Sequence, residues 1–351
     1  MQKPIRLGLI GCGGIVQKTH ARAYLALSET ETIKISALAD VVPENLQKVG
    51  DQFDVPTQNR YTDYREMLAK GNIDVVTIAT PHSLHAEQVI ESASAGVAII
   101  SEKPMATSLE EADKIVEAVN DNNVPYTIVH NYLYTAGMQA AIAQLPEIGK
   151  TYFGRSTGMG LRSTDFNANH PNPAFAWRAS KAKGGGCISD TSYHEIYSVC
   201  TLVQSPVRYV EARVRTMVLD IDVDDFAMLL CEHENGAITT VSGAWSVPAD
   251  DFGWCEVHAE NGSLRVKHRY NVREALRRFT RAEGWKPVEL PDLDEEGLKD
   301  ASGHASYFTA TFDALAEDRA LPISAEKAYH NLAIIDAARR ATTERRAIEI
   351  Q

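Results

Sequence analysis

Short apolar runs alternate with amphipathic segments through the first 130 residues. The runs are typical of strands, and the segments between them are typical of crossover helices. Ser108 and Glu111 form a capping box that predicts one helix start, and other helices are expected near Pro43 and Asp63. This half is therefore predicted to be a doubly wound α/β domain. The apolar runs lie at 5–10, 33–39, 74–79, 97–101 and 124–129.

Apolar and polar residues alternate more strictly after residue 130, which is typical of antiparallel strands exposed on one face. Turns are expected at 234–236 and 260–262, and helices at 304–317 and 325–341. The pattern predicts an α+β domain with an open, mostly antiparallel sheet over 130–351, following an α/β domain over 1–129. The alternating stretches lie at 209–218, 224–232, 237–245 and 255–266, and a last strand is expected at 348–350.

The composition narrows the classes of function. The 351 residues include 35 Lys and Arg against 47 Asp and Glu, a formal charge of −12. This charge disfavours nucleic acid and anionic membranes as partners and favours small-molecule chemistry. Five scattered cysteines predict neither a disulfide framework nor a zinc site, which fits a reducing cytoplasm. The chain has no uninterrupted apolar run of membrane-spanning length.

A glycine cluster follows the first predicted strand, in the stretch GLIGCGGIV at 8–16. Gly11, Gly13 and Gly14, with Ile15 opening the next helix, form a candidate dinucleotide-binding loop, because bare backbone N–H groups at a helix start can face a pyrophosphate. Val16 stands where a third glycine is usual. Such glycines also serve purely structural turns, so the motif alone leaves both interpretations open.

Asp40 ends the second apolar run, at the position where a carboxylate can accept hydrogen bonds from the adenosine ribose hydroxyls. The alternative is an exposed acid in a turn. The next residues, at 41–43, include no Lys or Arg that could hold a 2′-phosphate. The sequence therefore favours NAD over NADP as cofactor.

Lys103 follows the fourth predicted strand, in the stretch SEKPMA, between Glu102 and Pro104. Ligands bind at the carboxyl ends of the strands of an open parallel sheet, so Lys103 is expected on the cofactor side. Pro104 disfavours helix at the lysine and stiffens the connection. By the same rule, the end of the third strand contributes candidate cofactor contacts, which are Thr80, Pro81 and His82.

A second candidate site lies in GGGCISDTSYHEI at 184–196. Asp190 and His194 are four residues apart, a spacing that places both on one face of a helix. A structural histidine is the alternative. Trp177 and Arg178, taken by themselves, fit core packing with a salt bridge.

The chain resembles the glucose-fructose oxidoreductase, inositol dehydrogenase and rhizopine-catabolism oxidoreductases. The resemblance covers most of the chain and rests on motifs in order: GLIGCGGIV, ALAD ending at Asp40, ATPHSLH, SEKPMA, Trp177-Arg178 and GGGCISDTSYH. It implies NAD on the first domain, a carbohydrate-like substrate held between that domain and the second sheet, and Lys103, Asp190 and His194 as the catalytic set. It also implies that Trp177 and Arg178 contact the cofactor or the substrate, in place of a purely structural role. It also implies a homodimer or homotetramer.

Oxidation of a secondary alcohol requires a group that takes the hydroxyl proton while hydride leaves the same carbon. His194 is expected to be that acid/base, since histidine has an ordinary pKa near ~6.5. Lys103 is expected to stabilise the developing alkoxide, although these two roles are exchangeable. Asp190 is expected to orient the substrate or the histidine.

The sequence departs from the family pattern at three positions. His82 replaces a common Asn, Tyr197 replaces an acid three residues after His194, and Tyr193 replaces a smaller residue. A metal site is not expected, because His82 and His85 have no clustered carboxylate or cysteine beside them.

Three functions compete. The leading one is an NAD-dependent dehydrogenase acting on a sugar, cyclitol or sugar acid. The second is a redox-neutral glycosidase that oxidises a sugar ring transiently with a tightly held NAD. The third is an NAD-binding sensor without catalysis, which the fold alone also supports.

Overall fold

The computed structural model of the protein describes residues 1, 3–161, 167, 169, 176–269, 272, 274–290, 300 and 302–350. The chain divides into two compact units. The first contains Met1–Val129 and His304–Tyr329, and the second contains His130–Gly303 and His330–Gln351. Residues 304–329 thus join the first unit, whereas the sequence pattern indicates only a change near residue 130.

A six-stranded parallel sheet forms the centre of the first unit, in the order β3-β2-β1-β4-β5-β6. The strand order reverses between β1 and β4, and such a reversal opens a ligand crevice at the carboxyl ends of the strands. β4 and β5 are buried along their whole length, as expected for a sheet covered on both faces. The predicted doubly wound fold is confirmed. The strands are β1 Ile5–Ile10, β2 Ile33–Ala39, β3 Arg60–Tyr61, β4 Val75–Ile78, β5 Ala98–Ser101 and β6 Tyr126–Ile128.

The helix starts in the first unit lie where the sequence predicts them. Asp63 accepts a hydrogen bond from the Arg65 N–H at 2.9 Å. Ser108 accepts one from the Glu111 N–H at 3.2 Å, but the Glu111 carboxylate receives its hydrogen bonds from the backbone and hydroxyl of Thr107. The predicted capping box therefore forms in a modified way: the Glu111 carboxylate binds Thr107, the residue before the cap, in place of the Ser108 N–H. The helices are α1 Ala21–Glu29, α2 Pro43–Gln52, α3 Tyr64–Lys70, α4 His85–Ser94 and α5 Leu109–Asp121, with short turns at Val16–His20, Thr57–Asn59 and His82–Leu84.

A nine-stranded sheet forms the second unit, in the order β14-β13-β12-β11-β7-β10-β9-β8-β15. The β7 and β10 pair is parallel, and the other described pairs are antiparallel. This confirms the predicted mostly antiparallel sheet. The strands are β7 Thr151–Leu161, β8 Val207–Arg215, β9 Phe226–His233, β10 Ile238–Ala244, β11 Ser246–Ala259, β12 Ser263–Lys267, β13 Leu276–Thr280, β14 Gly284–Pro287 and β15 Ile348–Glu349.

The remaining helices cover the second unit or return to the first. α8 belongs to the first unit, and α9 runs across the division at residue 329. No helix within the described ranges is long and apolar enough to cross a membrane. These helices are α6 Ala136–Ile148, α7 Tyr193–Val203, α8 His304–Ala316 and α9 Ala325–Glu344, with short turns at Asn131–Tyr134, Lys181–Lys183 and Ile188–Ser192.

Candidate functional site

The glycine loop leaves β1 at the point where the strand order reverses. Gly11 has a φ of +90°, and a Cβ there would lie 2.6 Å from the carbonyl oxygen of Ala79, so only glycine fits without strain. Its N–H donates to the Ala39 carbonyl at 2.8 Å. A Cβ on Gly13 or Gly14 would meet no atom within 4 Å. The backbone of these two glycines is therefore open to a ligand, as a pyrophosphate requires.

The chain beyond the loop differs from the usual three-glycine motif. Val16 is fully buried where a small residue is usual, and the turn Val16–His20 is wider than an α-helical turn before α1 begins. Ile15, the sequence-predicted cofactor contact, is 37% exposed at the start of this turn. The loop thus keeps an exposed apolar residue at its edge.

Asp40 binds the glycine loop directly. Its carboxylate accepts the Cys12 N–H at 2.6 Å, the Val42 N–H at 2.8 Å and the Asn45 side-chain amide at 3.3 Å. A carboxylate has about four lone-pair directions. These three donors occupy three of them, which leaves one for a ribose hydroxyl. Asp40 is therefore a structural anchor of the loop as well as a candidate ribose ligand. The sequence did not indicate this first role.

Two loops at the carboxyl ends of β4 and β5 are joined by one buried imidazole. The ring nitrogens of His85 lie 2.9 Å from the Thr80 carbonyl oxygen and 2.7 Å from the Pro104 carbonyl oxygen. The Thr80 hydroxyl also donates to Gln88 at 2.6 Å. Burial lowers the pKa of His85, while both carbonyl contacts act in the opposite direction. His85 therefore holds the Lys103 connection against the segment Thr80–His82. Pro81 and His82, both sequence-predicted contacts, lie in this braced segment.

Glu102, beside Lys103, is a buried carboxylate that holds the same connection from the other side. It lies 2.8 Å from His20 Nε2 and accepts the Lys103 N–H at 3.2 Å. Burial alone would raise the pKa of Glu102, but the hydrogen bond with His20 and the electrostatic contributions of His20, His304 and Lys103 lower it to about 2. Glu102 is thus ionised at neutral pH. The lysine connection is fixed to the wide turn that ends at His20.

His20, Glu102 and His304 form a cluster that the sequence did not indicate. Their ligand atoms lie within 4.8 Å of one another, the arrangement of a potential metal site. However, the His20 Nε2 already pairs with Glu102, and its buried Nδ1 has no hydrogen-bond partner among the described residues. A metal on Nε2 would move the ring proton to Nδ1, where it would have no acceptor. The hydrogen-bonded arrangement therefore suits these residues better.

The second candidate site begins at a wide turn, Ile188–Ser192, that leads into α7. Asp190 in this turn accepts a hydrogen bond from Arg178 Nε at 3.2 Å, and the guanidinium lies 4.4 Å from the centre of the Trp177 ring. The structure thus brings Asp190 together with the Trp177-Arg178 pair, which the sequence singled out as a separate motif. The preceding glycine run is tied to the same place, because the Gly186 N–H donates to the Arg178 carbonyl at 3.0 Å.

His194 lies in the first turn of α7 within an aromatic cluster. Its Nδ1 is 2.9 Å from the Tyr197 hydroxyl, and its ring centre is 4.5 Å from that of Tyr132. The Tyr197 ring stacks on His130 at 4.2 Å, and His130 Nε2 lies 3.0 Å from the Tyr193 hydroxyl. His130 and Tyr132 were not predicted from the sequence. Their place shortly after β6, at the carboxyl end of a parallel strand, is the sequence signal that could have identified them.

A buried ionic group fixes the start of α7 beside His194. Glu195 accepts hydrogen bonds from Arg269, with the nearest pair of charged atoms 2.6 Å apart, and lies 3.1 Å from His268. Burial would raise the pKa of Glu195, but the charges of His268 and Arg269 hold it at about 2. A Cβ on Gly158 of β7 would lie 2.6 Å from Glu195 Oε1, so glycine there lets the ionic group lie against the sheet.

The sequence-predicted residues therefore fall into two groups, each described within its own unit. Gly11, Gly13, Gly14, Asp40 and Lys103 line the carboxyl edge of the parallel sheet in the first unit. The second group lies in the second unit and consists of Trp177, Arg178, Asp190 and His194.

Comparison with known proteins gives two family matches. Residues 5–130 match the oxidoreductase family with an NAD-binding Rossmann fold, GFO_IDH_MocA, and residues 147–265 match the GFO/IDH/MocA C-terminal domain. The levoglucosan dehydrogenase of Pseudarthrobacter phenanthrenivorans is 29% identical over 74% of this chain and 73% of its own length. The D-apiose dehydrogenase of Rhizobium rhizogenes is 28% identical over 75% of this chain and 74% of its own length.

Solved structures are similar over the whole chain. A levoglucosan dehydrogenase in complex with NADH superposes with a TM-score of 0.87, at 26% identity, over 99% of both chains. One curated relative is named for the other cofactor: the scyllo-inositol 2-dehydrogenase (NADP(+)) IolW of Bacillus subtilis is 22% identical over 99% of this chain and 96% of its own length.

Proposed function

Because the chain belongs to the GFO/IDH/MocA family of NAD-binding oxidoreductases, we propose that it is a dehydrogenase of carbohydrate-like substrates. It transfers hydride between nicotinamide and a secondary alcohol or ketone of a sugar, cyclitol or sugar acid. The observation that carries this proposal is the carboxyl edge of the parallel sheet. There an open glycine loop, Asp40 and Lys103 each follow a strand of one sheet. The chain at Lys103 is held in place by His85 and Glu102.

NAD is the proposed cofactor. Asp40 keeps about one lone pair for a ribose hydroxyl, and its negative charge would repel a 2′-phosphate. The next residues, at 41–43, offer no cation to reverse this preference. When bound, NAD supplies the acceptor for hydride, and the protein supplies orientation and proton transfer.

The proposed catalytic set is Lys103, Asp190 and His194. Alcohol oxidation needs one group that takes the hydroxyl proton and one hydrogen-bond donor that stabilises the oxygen as negative charge develops on it. Lys103 and His194 are the two groups of the set that have the chemistry for these tasks. Asp190, paired with Arg178, holds a guanidinium that can donate to a second hydroxyl or a carboxylate.

The test presents a panel of anhydrosugars, aldoses, inositols, glycosides and sugar acids with NAD and, separately, with NADP. We expect NADH to accumulate with one compound or a narrow group. Lys103→Met should lower turnover by roughly 10²- to 10⁴-fold while NADH still binds. Lys114→Met, which removes an exposed lysine that pairs with Glu110, is the matched control and should keep full activity.

Two results would overturn this proposal. One is full turnover by the Lys103→Met protein. The other is the absence of NADH formation across the panel by a protein that retains tightly bound NAD and cleaves a glycoside. The second result would support the redox-neutral glycosidase instead.

The second unit is the proposed assembly surface, giving a homodimer or homotetramer. On β9, Met228 and Leu230 are 48% and 44% exposed on the same face, since residues two apart in a strand point to the same side. Light scattering should show an oligomer for the native chain and a monomer for the double variant Met228→Glu, Leu230→Lys. Leu25→Glu, which alters an exposed residue of α1, is the control. A native monomer would refute the proposal.

A further inference from the structure

The hydroxyl group of Tyr197 contacts one ring nitrogen of His194. Tyr197 follows His194 by three residues in α7, so both side chains lie on one face of the helix. Its oxygen is 2.9 Å from His194 Nδ1. The Tyr197 side chain is buried, with 4% of the residue exposed. The proton between these two atoms therefore belongs either to the phenol or to the imidazole.

The second contact of the Tyr197 oxygen resolves this choice. The backbone N–H of Tyr132 donates to it at 3.3 Å, and an amide N–H cannot receive a proton in return. Burial raises the pKa of Tyr197 well above its ordinary value, so the group remains a phenol with one proton to donate. Among the hydrogen bonds of the described residues, His194 Nδ1 is the acceptor available to that proton.

The aromatic cluster keeps this arrangement in place. The Tyr197 ring stacks on His130 with the ring planes only 11° apart, and the Tyr132 ring lies against His194. A change in the direction of the hydroxyl would leave its proton without an acceptor inside this packed group. The geometry therefore favours one hydrogen-bond direction, from Tyr197 to His194.

We infer that Tyr197 is a positioning residue that holds neutral His194 as the tautomer with its proton on Nε2. His194 then offers an N–H to the substrate oxygen, and its lone pair is occupied by Tyr197. This inference rests on the proposed function for the identity of the reaction. It selects the exchanged assignment that the sequence left open, with Lys103 as the acid/base group and His194 as the hydrogen-bond donor.

The chemical step follows from this assignment. In the oxidation direction, the hydroxyl O–H bond breaks and its proton passes to the side-chain nitrogen of Lys103, the other acid/base candidate of the proposed set. The C–H bond breaks with its electron pair, and hydride passes to NAD. The substrate leaves as a ketone, and the cofactor leaves as NADH. The His194 Nε2–H stabilises the oxygen throughout and keeps its own proton.

The first test measures the tautomer directly by long-range ¹H–¹⁵N correlation NMR of the full chain labelled with ¹⁵N-histidine. The His194 signals are assigned from their loss in a His194→Gln sample. We expect an unprotonated, hydrogen-bonded Nδ1 and a protonated Nε2 at neutral pH. In Tyr197→Phe the Nδ1 signal should move toward that of a nitrogen without a hydrogen bond, and in the control Tyr209→Phe it should not move.

Two spectra would overturn the inference: a protonated Nδ1 with a bare Nε2 in the native chain, or a His194 spectrum that Tyr197→Phe leaves unchanged. Neither measurement requires a substrate. The expected spectrum in a protein that oxidises nothing in the panel would therefore defeat the proposed function and leave the tautomer assignment standing.

The second test separates hydrogen-bond donation from proton acceptance at position 194. Glutamine can donate from its amide nitrogen but cannot take up a proton, and leucine can do neither. We expect His194→Gln to keep kcat/KM within about tenfold of the native value and His194→Leu to lose at least 10²-fold. Equal loss in both variants would overturn the donor role of His194.

Discussion

Asp40 provides the sharpest test of the cofactor site, because its carboxylate supports both the loop and the proposed ribose contact. Asparagine keeps the size of the side chain but has one acceptor oxygen in place of two. At least one of the N–H groups of Cys12 and Val42 would then face an amide NH₂ group. A buried donor that loses its acceptor costs about 1–3 kcal/mol, but the exposed Val42 N–H can turn to water, so the free energy of unfolding should fall by no more than that amount.

The effect of Asp40→Asn on binding is separate from its effect on folding. A hydrogen bond to a charged group contributes about 1.5–3 kcal/mol, so the Kd for NADH should rise by about 10- to 150-fold. The Kd for NADPH should rise less, because the repulsion of the 2′-phosphate by the carboxylate is removed as well. The preference for NADH should therefore fall.

The assay is a calorimetric titration of each reduced cofactor into the native and variant proteins, with thermal unfolding recorded on the same samples. Asp63→Asn is the matched control, since Asp63 accepts one exposed N–H at the start of α3 and is far from the glycine loop in sequence. A Kd for NADH that changes by less than about threefold in Asp40→Asn would refute the ribose contact.

Three further outcomes follow from the described contacts. Gly11→Ala should abolish NADH binding at micromolar concentrations, since the new Cβ would lie 2.6 Å from the Ala79 carbonyl; native-like titration would contradict this. Glu195→Gln should lower the free energy of unfolding by about 3–5 kcal/mol in urea, because it removes the negative charge that lies against the buried Arg269 guanidinium, and a loss under ~1 kcal/mol would disprove that view. The pKa of Glu195 is lowered from 4.5 to about 2, so its contribution to stability is complete above 4.5 and is lost as pH falls to about 2. The difference in stability between native and Glu195→Gln proteins should therefore shrink across that interval in acid titrations, and a constant difference would argue against it.

The parallel sheet and its ligand edge could be predicted from the sequence because their patterns are local. An apolar run followed by glycine, aspartate or lysine gives both a strand and the residue at its carboxyl end. Gly11, Asp40 and Lys103 were all found in this way. The fold rules then place those ends on one edge of the sheet without knowledge of side-chain contacts.

The partners of the predicted residues could not be derived, because they come from distant parts of the chain. Glu195 and Arg269 are 74 residues apart, and Tyr132 and Tyr197 are 65 residues apart. No spacing rule joins such positions. A buried charge is unfavourable without a partner, and the sequence does not show which distant residue is that partner. The sequence accordingly identified His194 but left its protonation state open, since Tyr197 was noted only as a replaced acid.

Gly158, Glu195 and Arg269 constrain how this protein can diverge. A side chain at Gly158 would enter the space of the carboxylate, and loss of either charge would remove a close counter-charge from the other inside the protein. Single replacements should therefore destabilise the protein, whereas a joint exchange for apolar residues of similar volume should be tolerated. A change at one of the three positions should accordingly require changes at the other two. Substrate preference can then change by replacement of neighbouring residues, while α7, which carries His194, keeps its position against the sheet.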